Sequence, residues 1–170
     1  ASTSGGGALT GIGIDCGRDC TEAYAHGTRV TLTATPLVST ELASWGGACA
    51  SAVGNRCTVT MSADLSVSAT FRTRRLTLRV SRSLTRGATG TVSSSPSGIS
   101  CGADCVQTYD HGTSVALRTS AGAGSRFTGY SGDCSGEACT VVMTADRSVT
   151  ASFVPIVRDL TIDMTSLSRL

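Results

Sequence analysis

The sequence contains no lysine: all 14 basic residues among its 170 are arginine. That excludes a Schiff-base lysine, the lysine of a phosphate-binding loop, and Lys–Asn isopeptide cross-links of the kind some surface fibres carry. Aromatic residues make up 4% and charged residues 15%, so a basic groove with stacking rings for nucleic acid is poorly supplied. A net charge of +2 adds little attraction toward nucleic acid or a membrane. No apolar run approaches the roughly 18 residues needed to span a bilayer, so no membrane insertion is expected. The opening Ala1-Ser2-Thr3-Ser4-Gly5 has no charged-then-apolar leader and reads as the start of a processed exported protein. The single asparagine, Asn55, lacks a following Ser/Thr sequon, which leaves ordinary N-glycosylation without an acceptor.

What is abundant is serine and threonine, 49 together, with 20 glycines and eight cysteines. Such a composition suits short strands and turns better than long helices. The cysteines form two quartets, Cys16, Cys20, Cys49, Cys57 and Cys101, Cys105, Cys134, Cys139. In a Ser/Thr-rich chain this is the pattern of a disulfide framework made in an oxidising compartment, the periplasm or outside the cell, and an extracellular or cell-surface location is expected.

The chain matches itself. Cys-Gly-Arg-Asp-Cys from Cys16 falls on Cys-Gly-Ala-Asp-Cys from Cys101, and Tyr24, His26, Gly27, Val30 and Leu32 fall on Tyr109, His111, Gly112, Val115 and Leu117, all 85 positions apart. Trp45 falls on Tyr130. The loop between the last two cysteines is three residues shorter in the second copy, after which the spacing is 82, and Cys57, Val59, Met61, Asp64, Val67 and Phe71 fall on Cys139, Val141, Met143, Asp146, Val149 and Phe153. Two modules follow, residues 1–71 and 72–153, with a remainder at 154–170. Each module is near the size at which a core needs staples.

Within a module the apolar residues alternate with period two. Val30, Leu32 and Ala34 share one strand face while Thr31, Thr33 and Thr35 take the other. Val59 and Met61, the turn Ser62-Ala63-Asp64, then Leu65, Val67, Ala69 and Phe71 read as a hairpin closing the module. Asp64 and Asp146 suit that turn because a short carboxylate can bond local amides. No segment holds a helical period, and any helical turn is expected within residues 21–25. The fold class is all-β or mainly β.

The second module is led by a further strand signal, residues 74–80, with Leu76, Leu78 and Val80 alternating with polar residues. At a spacing of 85 Ala1 corresponds to Arg86, so the first module has no such leading strand. A matching segment stands at the far end: residues 158–164 align with residues 74–80 at a spacing of 84, which sets Leu160, Thr161, Ile162, Asp163 and Met164 on Leu76, Thr77, Leu78, Arg79 and Val80. A sheet without its strand exposes unpaired backbone groups and an apolar groove. The C-terminal strand could complete the first module of a neighbouring copy, giving a head-to-tail homopolymer, or fold back within its own chain. The third reading is a fragment of a longer array cut out of register.

The combination of residues 90–105, Tyr109-Asp110-His111-Gly112-Thr113, residues 127–134 and the closing residues 143–153 resembles the divergent internalin-type B-repeat of bacterial surface and secreted proteins. The resemblance covers nearly the whole chain, twice. It implies a small β-rich module of β-grasp type, structural or adhesive roles outside the cell, and no catalytic residues. The first copy departs from the pattern in having Gly11-Ile12-Gly13 in place of Pro96-Ser97-Gly98, and Ala43 in place of Phe127.

Four thiolates could bind zinc, but the spacings are looser than two-residue knuckles and the family context is extracellular, so disulfides are expected and no metal. Four cysteines permit three pairings per module. Local pairing is expected, Cys16 with Cys20, Cys49 with Cys57, Cys101 with Cys105 and Cys134 with Cys139, because each loop is short and contains turn residues. His26 and His111 sit in equivalent His-Gly-Thr turns, and no nucleophile elbow accompanies them. Asp104, Asp133 and Glu137 lack calcium-loop spacing and read as solvated loop acids. Trp45 and Tyr130 are expected to pack on a cystine, the alternative being a platform for stacking a glycan. The arginines of the strand at 74–80 are answered in the tail by acids, with Asp159 and Asp163 where Arg75 and Arg79 stand. The sequence therefore describes a non-enzymatic extracellular structural protein without cofactors, a fibre or sheath subunit. The competing functions are an adhesin or carbohydrate-binding segment of a larger surface protein and, more remotely, an accessory domain of a secreted hydrolase.

Overall fold

The computed structural model describes residues 2–160, and these contain fifteen strands and no helix. The first repeat supplies β1 (Ser2–Ser4), β2 (Gly7–Gly11), β3 (Ile14–Cys16), β4 (Arg29–Pro36), β5 (Thr40–Gly47), β6 (Arg56–Thr60) and β7 (Val67–Thr73). The second supplies β8 (Arg75–Leu84), β9 (Gly90–Ser95), β10 (Ser100–Cys101), β11 (Val106–Asp110), β12 (Ser114–Ala121), β13 (Ser125–Gly132), β14 (Cys139–Val142) and β15 (Arg147–Pro155). Each sheet draws its strands from one repeat. The first repeat has a β3-β2-β4-β6 sheet and a β1-β7-β5 sheet; the second has β10-β9-β12-β14 and β11-β8-β15-β13. One sheet of each repeat is mixed, with β1 and β8 running parallel to β7 and β15.

By contact the chain forms two compact units, one of residues 1–77 with 108–113 and 142–146, the other of residues 78–107, 114–141 and 147 onward. The division falls inside β8 because the backbone around Arg74 and Thr77 bonds to His111 and Asp146, which draws those short segments into the first unit.

The period-two face of β4 is buried as its alternation requires: Val30, Leu32 and Ala34 join Leu9 on one sheet, against Trp45, Val67, Ala69 and Phe71 on the other. Close sheet packing needs glycine at one point in each repeat. A Cβ on Gly7 would lie 2.5 Å from the Phe71 ring, and one on Gly90 would lie 2.3 Å from that of Phe153.

The expected closing hairpin is not formed. β6 pairs with β4, setting Val59 opposite Val30, whereas β7 pairs with β5 and β1 in the other sheet. The segment between them crosses from sheet to sheet. Alternation identifies the buried face of a strand but not its partner, so both arrangements satisfy the same pattern. Residues 21–25 likewise form no helical turn, and they pair with no strand.

The alignment at the front also changes. Leu9 stands opposite Ala34 and Val92 opposite Thr119; since Ala34 and Thr119 are equivalent, Leu9 matches Val92, 83 positions apart. The β2–β3 connection is therefore shorter in the first repeat by two residues (85 − 83) than its β9–β10 counterpart. Further forward, Ser2, Thr3 and Ser4 pair with Ser68, Ala69 and Thr70, while Ser81, Arg82 and Ser83 pair with the equivalent Thr150, Ala151 and Ser152. Strand β1 thus occupies the last part of the leading strand's place, not the loop after it. The same registers set Leu42 opposite Phe71 and Phe127 opposite Phe153, so Leu42 rather than Ala43 takes the position of Phe127.

Candidate functional site: an open strand position in the first repeat

In the second repeat β8 pairs with β15 along seven rungs, beginning with Leu78, Arg79 and Val80 opposite Arg147, Ser148 and Val149. The matching residues of the first repeat are Leu65, Ser66 and Val67, and among the described residues nothing pairs with them on that side. The difference extends to the far neighbour. Val106–Asp110 forms β11 at the outer edge of β8, whereas the equivalent residues 21–25 are irregular, with no strand to pair with among the described residues.

The side chains record the same difference. Leu76, Leu78 and Val80 are 3%, 0% and 4% exposed, and the second repeat seals Ile99, Tyr109, Val141 and Met143 to between 0% and 6%. Their first-repeat equivalents, Ile14, Tyr24, Val59 and Met61, are all only half-buried. They line a recess of about 140 Å³ whose floor is Val30, Leu32 and Val67 and whose lip is the exposed Leu65. Burial beside Glu22 raises the Tyr24 phenol above its ordinary pKa, and its hydroxyl donates to the Ile12 carbonyl.

Polar groups at the rim are preset as well. In both repeats the His-Gly-Thr turn is clasped by paired backbone bonds, Gly27 to Met61 at 2.7 Å and Met61 to Thr28 at 2.9 Å, with Gly112, Met143 and Thr113 repeating them at 2.8 and 2.9 Å. Gly27 and Gly112 take φ of 84° and 86°, a conformation glycine adopts without Cβ strain. In the second repeat this frame aims two groups at β8: the His111 amide donates to the Arg74 carbonyl, and Asp146 Oδ1 accepts the Thr77 amide, each at 2.8 Å. The equivalent His26 amide and Asp64 carboxylate have no partner among the described residues. Asp146 therefore bonds a strand 69 residues away rather than its own turn, the part that the sequence reading missed. Only the difference between two copies exposes it, since both aspartates fit a turn equally well.

The four bridges join Cys16 to Cys20, Cys49 to Cys57, Cys101 to Cys105 and Cys134 to Cys139. All eight thiols are consumed, which leaves no thiolate for zinc. Trp45 and Tyr130 are 8% and 5% exposed, and Trp45 donates from Nε1 to the Gly54 carbonyl at 2.8 Å. Neither presents the open face that stacking a sugar requires, because both rings are buried; burial also raises the Tyr130 phenol. Asp133 is held by its own repeat, accepting the Ser148 amide at 2.6 Å and Arg147 at 3.0 Å, which lower its pKa. Asp104 accepts the Val106 amide at 3.2 Å. His26 and His111 keep their turn positions. Of the expected C-terminal strand, Leu160 is exposed and outside any strand, and Thr161, Ile162, Asp163 and Met164 lie outside the described residues.

The two repeats are disulfide-stapled all-β units, and among the described residues no cluster of three or more His, Cys, Asp or Glu side chains is placed to hold a metal ion. The chain belongs to the divergent InlB B-repeat domain family, which matches it twice, over residues 1–75 and 81–157. No curated protein matches it.

Proposed function

We propose that the protein is a non-enzymatic structural subunit of the bacterial surface or its surroundings, assembled head to tail by donation of a C-terminal strand to the first repeat of the next copy. The observation that carries this reading is the paired difference in burial: four core positions sealed in the second repeat are half-open in the first, around a strand position that β8 fills in one and nothing described fills in the other. A free strand edge beside an apolar recess is an association site unless something covers it. Donation would also reproduce a connection the chain already makes once, from the last strand of one repeat into the leading strand of the next.

The test is the mass of the full chain against concentration by light scattering, together with electron microscopy. Growth into filaments is expected, and removal of residues 158–170 should leave monomers whose second repeat remains folded. A full chain that stays monomeric at millimolar concentration, or a truncated chain that still forms filaments, would sink the reading.

A further inference from the structure

Resting on that reading, we infer that the occupant of the open position is residues 158–164, lying parallel to β7 in one register, with Leu160 and Ile162 in the apolar recess and the Thr161 amide on Asp64. Two features select this segment and this register.

The first is the pattern of faces. Transferred by the alignment with residues 74–80, Leu160, Ile162 and Met164 take the places of Leu76, Leu78 and Val80, the side chains that are 3%, 0% and 4% exposed in the second repeat. A slip of one residue would turn Thr161 and Asp163 into the recess instead.

The second is the polar rim. Thr161 takes the place of Thr77, whose amide Asp146 accepts, and so reaches the unpartnered Asp64; the Arg158 carbonyl takes the place of the Arg74 carbonyl and reaches the His26 amide. Charge distinguishes this segment from β8. Arg75 lies 3.7 Å from Asp110, but the first repeat has Ala25 where the second has Asp110, and the tail has Asp159 where β8 has Arg75. An arginine there would lose its acid, whereas an aspartate loses nothing and would be repelled by Asp110 in the other repeat.

A synthetic peptide of residues 156–166 added to the dilute full chain tests the assignment by hydrogen exchange and titration. Protection is expected at residues 21–27 and 64–67 and nowhere in the second repeat. Peptides with Ile162→Asp or Thr161→Pro should bind at least about tenfold more weakly, the first by putting a charge in an apolar seat and the second by removing the amide. Asp64→Ala in the protein should weaken the parent peptide about tenfold, but should have little effect on the Thr161→Pro peptide, whose bond is already gone. Equal binding of a peptide with its apolar and polar positions exchanged, or protection elsewhere, would overturn the inference. So would the absence of peptide binding, even if the full chain forms filaments, because assembly would then use another segment. Peptide binding with a monomeric full chain would support the segment and register while refuting head-to-tail assembly.

Discussion

At the scale of single residues, the sheets approach each other most closely where a glycine faces a phenylalanine. Replacing Gly90 by alanine would drive a methyl group into the Phe153 ring, which is 0% exposed and has no free space to enter. A loss of about 1–3 kcal/mol is expected in denaturant unfolding of the second repeat, the usual cost of overpacking a filled core. Gly112 is a control of another kind: a Cβ there meets nothing within 4 Å, so Gly112→Ala should cost only the roughly 1–2 kcal/mol of a left-handed backbone. Asp133 makes a pH prediction. The Ser148 amide and Arg147 lower its pKa, so its folded carboxylate contributes stability at and above the ordinary carboxylate range and loses it as pH falls through the lowered value. The Ser148 amide should therefore stay protected from exchange at pH values near 4 and lose protection only below; loss that follows an ordinary carboxylate titration would show the clasp to be absent.

At the scale of elements, equivalent segments differ according to whether a partner strand is present. Val106–Asp110 is a strand with Tyr109 only 6% exposed, whereas residues 21–25 are irregular despite the same Tyr and the same preceding disulfide loop. Short sequences of this kind have no conformation of their own, and tertiary pairing decides. Amides at 22–25 should exchange at least about a hundredfold faster than those at 107–110 in the unassembled protein, as mass spectrometry of the two peptides can measure. Much of this organisation is legible in the sequence. The repeat, its cysteine quartets and the inward face of β4 follow from spacing and alternation, because both reflect local periodicity. The partner of β6 does not follow, since an apolar face records burial and not the identity of the neighbour. Nor does the role of Asp146, whose bond to Thr77 joins residues 69 apart. The position of β1 was obscured for a different reason: the shorter β2–β3 connection breaks the spacing of 85 just where the leading strand must be placed.

At the scale of the whole molecule, a repeat that is incompletely covered among the described residues shares a chain with a covered one, and on the proposed assembly their stabilities should differ in a way that concentration removes. The sequence has one tryptophan, Trp45, and it is buried in the first repeat, so its fluorescence reports that repeat alone. The second repeat gains the burial of Leu76, Leu78 and Val80, each worth about 1.5–3 kcal/mol as an upper range for a fully buried aliphatic side chain. On the proposed assembly, the first repeat gains that contribution when the donated strand arrives. Binding to the native state alone adds stability as RT ln(1 + [L]/Kd), about 2.7 kcal/mol when the donor is at roughly a hundred times its dissociation constant. In dilute protein the Trp45 signal should therefore fall at a lower urea concentration than the far-ultraviolet circular dichroism of the whole chain. Raising the protein concentration should move the Trp45 midpoint upward and leave the later part of the dichroism transition in place. With residues 158–170 removed, the Trp45 midpoint should become independent of concentration. Coincident transitions at every concentration would mean that the first repeat is already as stable as the second, and that the half-open recess is not a position waiting for a strand.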